Sequence, residues 1–207
     1  MNSQKRIFSL RSLASILLIC TASAFGQGEA KLQAEPNYDA ILHVVASSSE
    51  PGPAEALPQS LSSVSKQLRN DFGAANLKLL NTYVGRMTNS GSLEYKGVSN
   101  AYAPAPESDA LTFLEWNLTG LKNLQNAAGQ NAFQFQTFRF GARVPIKVLN
   151  YRDETGKVPA VYNYESIGLT LSRMSVLENV PTLIGTLSRP RTNGTLFLIL
   201  TVKNAAK

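Results

Sequence analysis

Two glutamates interrupt otherwise apolar, strand-like runs: Glu115 within residues 111–118 and Glu165 within residues 161–171. Carboxylates that folding brings together can act as the acid and the base or nucleophile of a glycosidase, so a hydrolase would rest on this pair. Strand alternation gives the plainer account, in which both face solvent. His43 is the single histidine. A Ser-His-Asp triad or a zinc site needs that residue with specific partners, and none of the usual sets is present, so His43 in a strand reads as structural. Gly85 and Gly194 lack the helix N-terminus that a phosphate cradle requires. No catalytic residue, metal site or cofactor is assigned.

Aromatic side chains are the remaining candidates for a binding surface. Trp116 lies on an apolar strand, and Tyr162 and Tyr164 share one face of another. Their default role is in a core; the functional alternative is a platform for a ligand or peptide. The triplets Asn117-Leu118-Thr119 and Asn193-Gly194-Thr195 fit a glycosylation acceptor, which matters only in a host that has the machinery.

The elements that must position these residues are mostly strands. Residues 38–45 alternate but are apolar on both faces for most of their length. Leu57, Leu61, Val64, Leu68 and Phe72 recur at helical spacing, with Pro58 suited to a first turn and Gly73 to a left-handed stop. Residues 77–88 and 92–98, joined by Asn89-Ser90-Gly91, read as a hairpin. A connector at 101–110 contains Pro104 and Pro106 and is followed by strands at 111–118, 132–140, 143–149, 161–171, 182–187 and 195–202. The expected fold is α+β: a strand-helix-hairpin unit over 38–100, then an antiparallel, sandwich-like β unit over 111–207. Phe133 and Phe135 have opposite parity to Phe138 and Phe140, which predicts a bulge near Gln136-Thr137 that turns all four inward. Leu196-Phe197-Leu198-Ile199-Leu200 is apolar on both faces, as befits a central strand or one half-covered by a partner.

Residues 1–24 have the three zones of a secretory signal: Lys5, Arg6 and Arg11, then an apolar run from Leu13 to Cys20, then Thr21, Ala22, Ser23 and Ala24. The run is far shorter than the ~20 residues of a membrane-spanning helix. Cleavage is expected before Phe25, or after Gly26, ahead of a flexible lead over 25–37. Cys20 as a lipidated first residue is the competing reading. The leader holds three basic residues and no acidic one, so a net charge of +6 becomes +3 on cleavage. That excess is unclustered, which argues against nucleic acid. The only cysteine leaves with the leader. Stability must then come from a packed core, without disulfides.

Phe140-Gly141-Ala142-Arg143-Val144-Pro145-Ile146, Tyr162 to Leu171, Val180-Pro181-Thr182-Leu183-Ile184-Gly185-Thr186-Leu187 and the closing apolar strand come in an order that resembles the core of bacterial outer-membrane secretins, over about residues 137–203. Residues 171–180 are too few to hold the hairpins that line a secretin pore. The resemblance therefore implies a shared strand arrangement and an envelope setting, not a pore. The strands also lack the repeating lipid-facing segments of an outer-membrane barrel. These features together lead to the expectation of an exported, non-enzymatic envelope protein that acts by contact with another protein, with strand addition as a route open to it, and that is associated with a secretion-type assembly. A periplasmic binder of a small molecule or glycan, using Trp116, Tyr162 and Tyr164, is the alternative, and a hydrolase comes third.

Overall fold

A computed structural model of the chain describes residues 35–48, 56–74, 76–99, 110–150, 160–189 and 194–205. The expected leader, most of the lead and the connector lie outside them. Nine strands are described: β1 (Asn37–Ser48), β2 (Asn76–Thr88), β3 (Leu93–Ser99), β4 (Thr112–Thr119), β5 (Lys122–Gln125), β6 (Asn131–Asn150), β7 (Ala160–Leu177), β8 (Thr182–Ser188) and β9 (Gly194–Asn204). One helix, α1 (Ser62–Phe72), follows a 3-10 turn at Gln59–Leu61.

The strands form two antiparallel sheets. The first has the order β2-β1-β9-β8; the second runs β3-β4-β6, with both β5 and β7 also paired to β6. Alternation along β1 and β9 explains why the sheets face each other. Ala40, Leu42 and Val44 of β1 and Leu196, Leu198 and Leu200 of β9 are fully buried against Leu118, Phe133, Phe135 and Phe138 of the second sheet. Burying the valine, leucine and phenylalanine side chains contributes roughly 1.5–3 kcal/mol each, and this shared layer is the principal core.

The other face of the first sheet carries α1. Leu61, Val64 and Leu68 cover Val45, Phe197 and Ile199 in a second cluster, and the Phe72 ring meets Phe197 edge-on at 5.5 Å. Thus β9 is apolar on both faces because it is central in its sheet and roofed by the helix. Gly73 ends α1 in the left-handed conformation at φ 60°, as its position in the sequence predicts.

The hairpin expected from residues 77–88 and 92–98 does not form. β2 pairs with β1 and β3 pairs with β4, so Asn89-Ser90-Gly91 carries the chain from one sheet to the other. The two strands meet across the core instead of side by side, with the Tyr83 and Tyr95 rings 4.9 Å apart. The architecture is accordingly β-rich, two sheets and one helix, and strand pairing between β1 and β9 links residues from either side of 101–110. Residues 132–140 and 143–149 belong to one continuous strand, β6, and β7 runs on past residue 171 to Leu177.

All four phenylalanines of β6 are buried, but without a register shift. Pairing holds the same register on both sides of Gln136, from Thr119↔Thr137 to Lys122↔Gln134 and from Thr137↔Ser172 to Phe135↔Met174. Opposite Gln136 stand two residues with positive φ, Gly120 at 65° and Arg173 at 57°. Gly120 lies between β4 and β5, and Arg173 lies within β7. The inward residues switch from Leu118 to Leu121, from Phe138 to Phe135 and from Leu171 to Met174 at one level, so the device is a corner shared by three strands in place of a bulge in one.

Candidate functional site

The same alternation that turns Leu114, Trp116 and Leu118 inward turns Phe113 and Glu115 of β4 outward. On β6 it exposes Arg139 and Arg143, and on β7 it sets Tyr164, Ser166, Gly168 and Thr170 on that outer face. Register aligns them in rows across the sheet. Lys96, Glu115, Gly141 and Gly168 form one row; Phe113, Arg143 and Ser166 form the next; Asn117, Arg139 and Thr170 lie on the other side.

Two consecutive glycines in a row leave a gap. A Cβ on Gly168 would lie 2.6 Å from the Phe140 carbonyl oxygen and 3.3 Å from the Gly141 Cα, so β7 closes over β6 at this row more tightly than any side chain permits. The result is a crease of about 710 Å3 in the outer face, walled by Lys96, Phe113, Glu115, Arg139 and Arg143. Glu115 lies along it, with its Cγ and Oε1 each 3.3 Å from where a Gly141 Cβ would sit.

The electrostatics are lopsided. Lys96 is held by Glu94 at 2.7 Å, and the contact lowers the glutamate pKa and raises that of the lysine. Arg139 approaches Glu115 only to 3.6 Å, with both side chains about half exposed or more. An exposed pair at that distance is worth little. Arg143 has no carboxylate partner among the described residues; its guanidinium lies 5.7 Å from the Tyr164 ring centroid, and that ring packs against Phe113 at 5.6 Å.

The residues expected to carry function are distributed differently. Trp116 is 2% exposed, faces the inter-sheet core and has an indole nitrogen with no acceptor among the described residues. Tyr164, 37% exposed, lies on the opposite face of the sheet, together with the half-buried Tyr162. The three do not make one platform. Glu115 and Glu165 are also kept apart, because Glu165 pairs with the inward-facing Val144 while Glu115 points outward. Neighbouring carboxyls on one face are what the glycosidase reading required.

His43 lies on the helix-bearing face of the first sheet, where a ring nitrogen and the Thr82 hydroxyl are 2.9 Å apart. Burial holds its pKa below the usual value. Its neutral form is therefore favoured in the folded state, so its contribution to stability is complete above the unfolded pKa of ~6.5 and is lost as pH falls from there to the folded value. His43→Gln should flatten the acid side of a stability-versus-pH curve in that window; an unchanged slope in urea titrations would show that other groups set it. Among the described residues, no three His, Cys, Asp or Glu side chains converge as metal ligands. No described helix is long and apolar enough to cross a membrane.

Signals in the sequence that bear on the crease are modest: Arg139, Gly141 and Arg143 alternate on one strand, and Gly168 stands between Ser166 and Thr170. Only pairing shows that the two glycines face each other. No family model and no curated protein sequence matches the chain. Among solved structures it is similar to the InvG secretin domain β-barrel of the Salmonella SPI-1 injectisome, with 12% identity and a TM-score of 0.31, over 95% of this chain and 68% of that one. The chain bears a weak, partial resemblance to a secretin. The open-gate form of the InvG secretin aligns with 12% identity and a TM-score of 0.32, over 95% and 66% of the two chains. In the basal-body assembly of InvG with PrgH and PrgK the corresponding values are 12%, 0.27, 95% and 50%.

Proposed function

We propose that this chain is an exported, non-enzymatic protein of the bacterial cell envelope that works by contact with another protein, pairing the free edge of β7 with an extended segment of its partner. The observation that carries the reading is β7 itself. It is 18 residues long and pairs with β6 on one side, while no described strand pairs with it on the other. An open edge presents unpaired N–H and C=O groups, and proteins that need to stay apart blunt such edges with proline, lysine or brevity. β7 contains no proline and no lysine, and its charged residues are Glu165 and Arg173.

The leader pattern supports export, and the motifs at 140–146 and 162–171 support a secretion-type assembly as the setting. A partner strand would gain main-chain hydrogen bonds along the edge and specificity from alternate side chains. The crease supports a second reading, a small-molecule or glycan binder, since about 710 Å3 lies within the usual range of ligand sites. On this reading Phe113 supplies the aromatic wall, with the Tyr164 ring packed against it from outside the crease.

Photo-crosslinking in intact cells tests the edge. A crosslinking residue in place of Ser172 should trap one partner in a discrete adduct, while the same residue in place of Arg86, on β2 at the far edge of the other sheet, should trap none. Equal labelling at both sites, or none at Ser172, counts against the proposal.

A further inference from the structure

The structure assigns a chemistry to the partner: it is an acidic extended segment, one carboxylate of which enters the Gly141–Gly168 crease from beyond the β7 edge and meets Arg143 and Arg139. This inference rests on the edge-pairing reading and specifies what that edge recognises.

Its first support is the low rim. On the outer face, β7 presents Ser166, Gly168 and Thr170 in succession, none with a side chain long enough to screen the strand behind it. Adjacent strands lie ~4.8 Å apart, so a glutamate on a strand added to β7 can extend across the side-chain-free Gly168 and approach β6. There it would find the guanidinium groups on either side of Gly141.

Charge is the second support. Lys96, Arg139 and Arg143 wall the crease against Glu115 alone, and Lys96 is already tied to Glu94. Arg143 has no carboxylate within ion-pair distance among the described residues, and Arg139 has only its loose contact at 3.6 Å. A guanidinium offers several N–H donors in a fork that matches a carboxylate, so the crease has donor capacity in surplus and lacks the acceptor. A basic partner would meet two arginines, and a wholly apolar one would cover them without replacing their water.

The test uses the full chain and short synthetic peptides of alternating Val and Thr that carry Glu, Gln or Lys at the centre, with binding read by fluorescence anisotropy. The Glu peptide should bind about tenfold more tightly than the Gln peptide, the size expected for charge-assisted hydrogen bonds, and the Lys peptide more weakly still. Arg143→Ala should abolish the Glu advantage and Arg139→Ala should reduce it, with Arg143→Lys retaining part; both arginines are exposed, and unchanged circular dichroism would confirm folding. High salt should narrow the gap. Methylating alternate peptide amides should abolish binding of every peptide, because the edge bonds are main-chain.

If Glu, Gln and Lys peptides bind alike and methylation still abolishes binding, the carboxylate inference fails while edge pairing stands. If no peptide binds, or methylation changes nothing, both fail. Reversible dimerisation in sedimentation experiments that the Glu peptide does not compete away would make a second copy the occupant, and would overturn the inference.

Discussion

Phe138→Ala should lower folding stability by about 3–5 kcal/mol, the range for a large aromatic deleted from a packed core. Phe138 is fully buried, pairs with the equally buried Leu118 on β4, and belongs to the layer shared by both sheets. It also stands two residues from Gln136, where three strands reverse their alternation together, so the surrounding backbone is fixed by pairing on both sides and has little freedom to collapse into the space. The expected signature in urea is a lower midpoint with an unchanged slope. Phe113→Ala makes the control: that ring is 47% exposed, and its loss should cost well under half as much. A Phe138→Ala midpoint close to the parent's would mean that this layer is not the core.

Gly168→Ala is expected to be nearly as damaging, although it adds a single methyl group. That methyl would lie 2.6 Å from the Phe140 carbonyl oxygen, which is backbone in the middle of a paired strand and has no rotamer to move. Either β7 lifts off β6 at this row or the carbonyl tilts out of the ladder, and overpacking of this kind costs on the order of 3 kcal/mol. Comparison with other glycines isolates the cause. A Cβ on Gly97 would meet the outer end of the Tyr95 ring, a side chain where Gly168 meets backbone. Gly129 has φ 76° with nothing within 4 Å, so alanine there should cost about 1–2 kcal/mol, the left-handed penalty alone. Thermal melts of the three alanine variants should place Gly168 far below the others; equal shifts would show that the close approach relaxes easily.

Parts of this molecule were legible in the sequence because they depend on local spacing. The stripe from Leu57 to Phe72 and the stop at Gly73 describe a helix against one surface, and that is how α1 sits. The two-sided apolarity of 196–200 pointed to a central strand or one half-covered by a partner, and β9 is central in its sheet. The parity of the four phenylalanines signalled an irregularity near 136, but the sequence carried no sign that Gly120 and Arg173 share it.

Pairing partners were not legible. Asn89-Ser90-Gly91 between two strand-like runs satisfies both a hairpin and a passage between sheets, and what separates the two is whether Tyr83 and Met87 find Leu93 and Tyr95 beside them or across from them. That choice is made by the rest of the core. For the same reason Trp116 and Tyr164, both aromatic and on strands, could not be sorted into inside and outside before the register of β4, β6 and β7 was known. The crease exists only because Gly141 and Gly168, 27 positions apart, are opposite each other.

The neighbours in the middle of the first sheet come from opposite ends of the described chain: the pairing of β1 with β9 runs from Tyr38 opposite Asn204 to Ser48 opposite Gly194. A ribosome or translocon delivers these segments in sequence, so β1 must wait unpaired on that side until β2 to β8 have emerged. Closing so large a loop places this protein among the slow folders, and until then the apolar faces of β1 need shelter from aggregation. Removing residues 194–204 would take away the centre of a sheet, with consequences far greater than the loss of a tail.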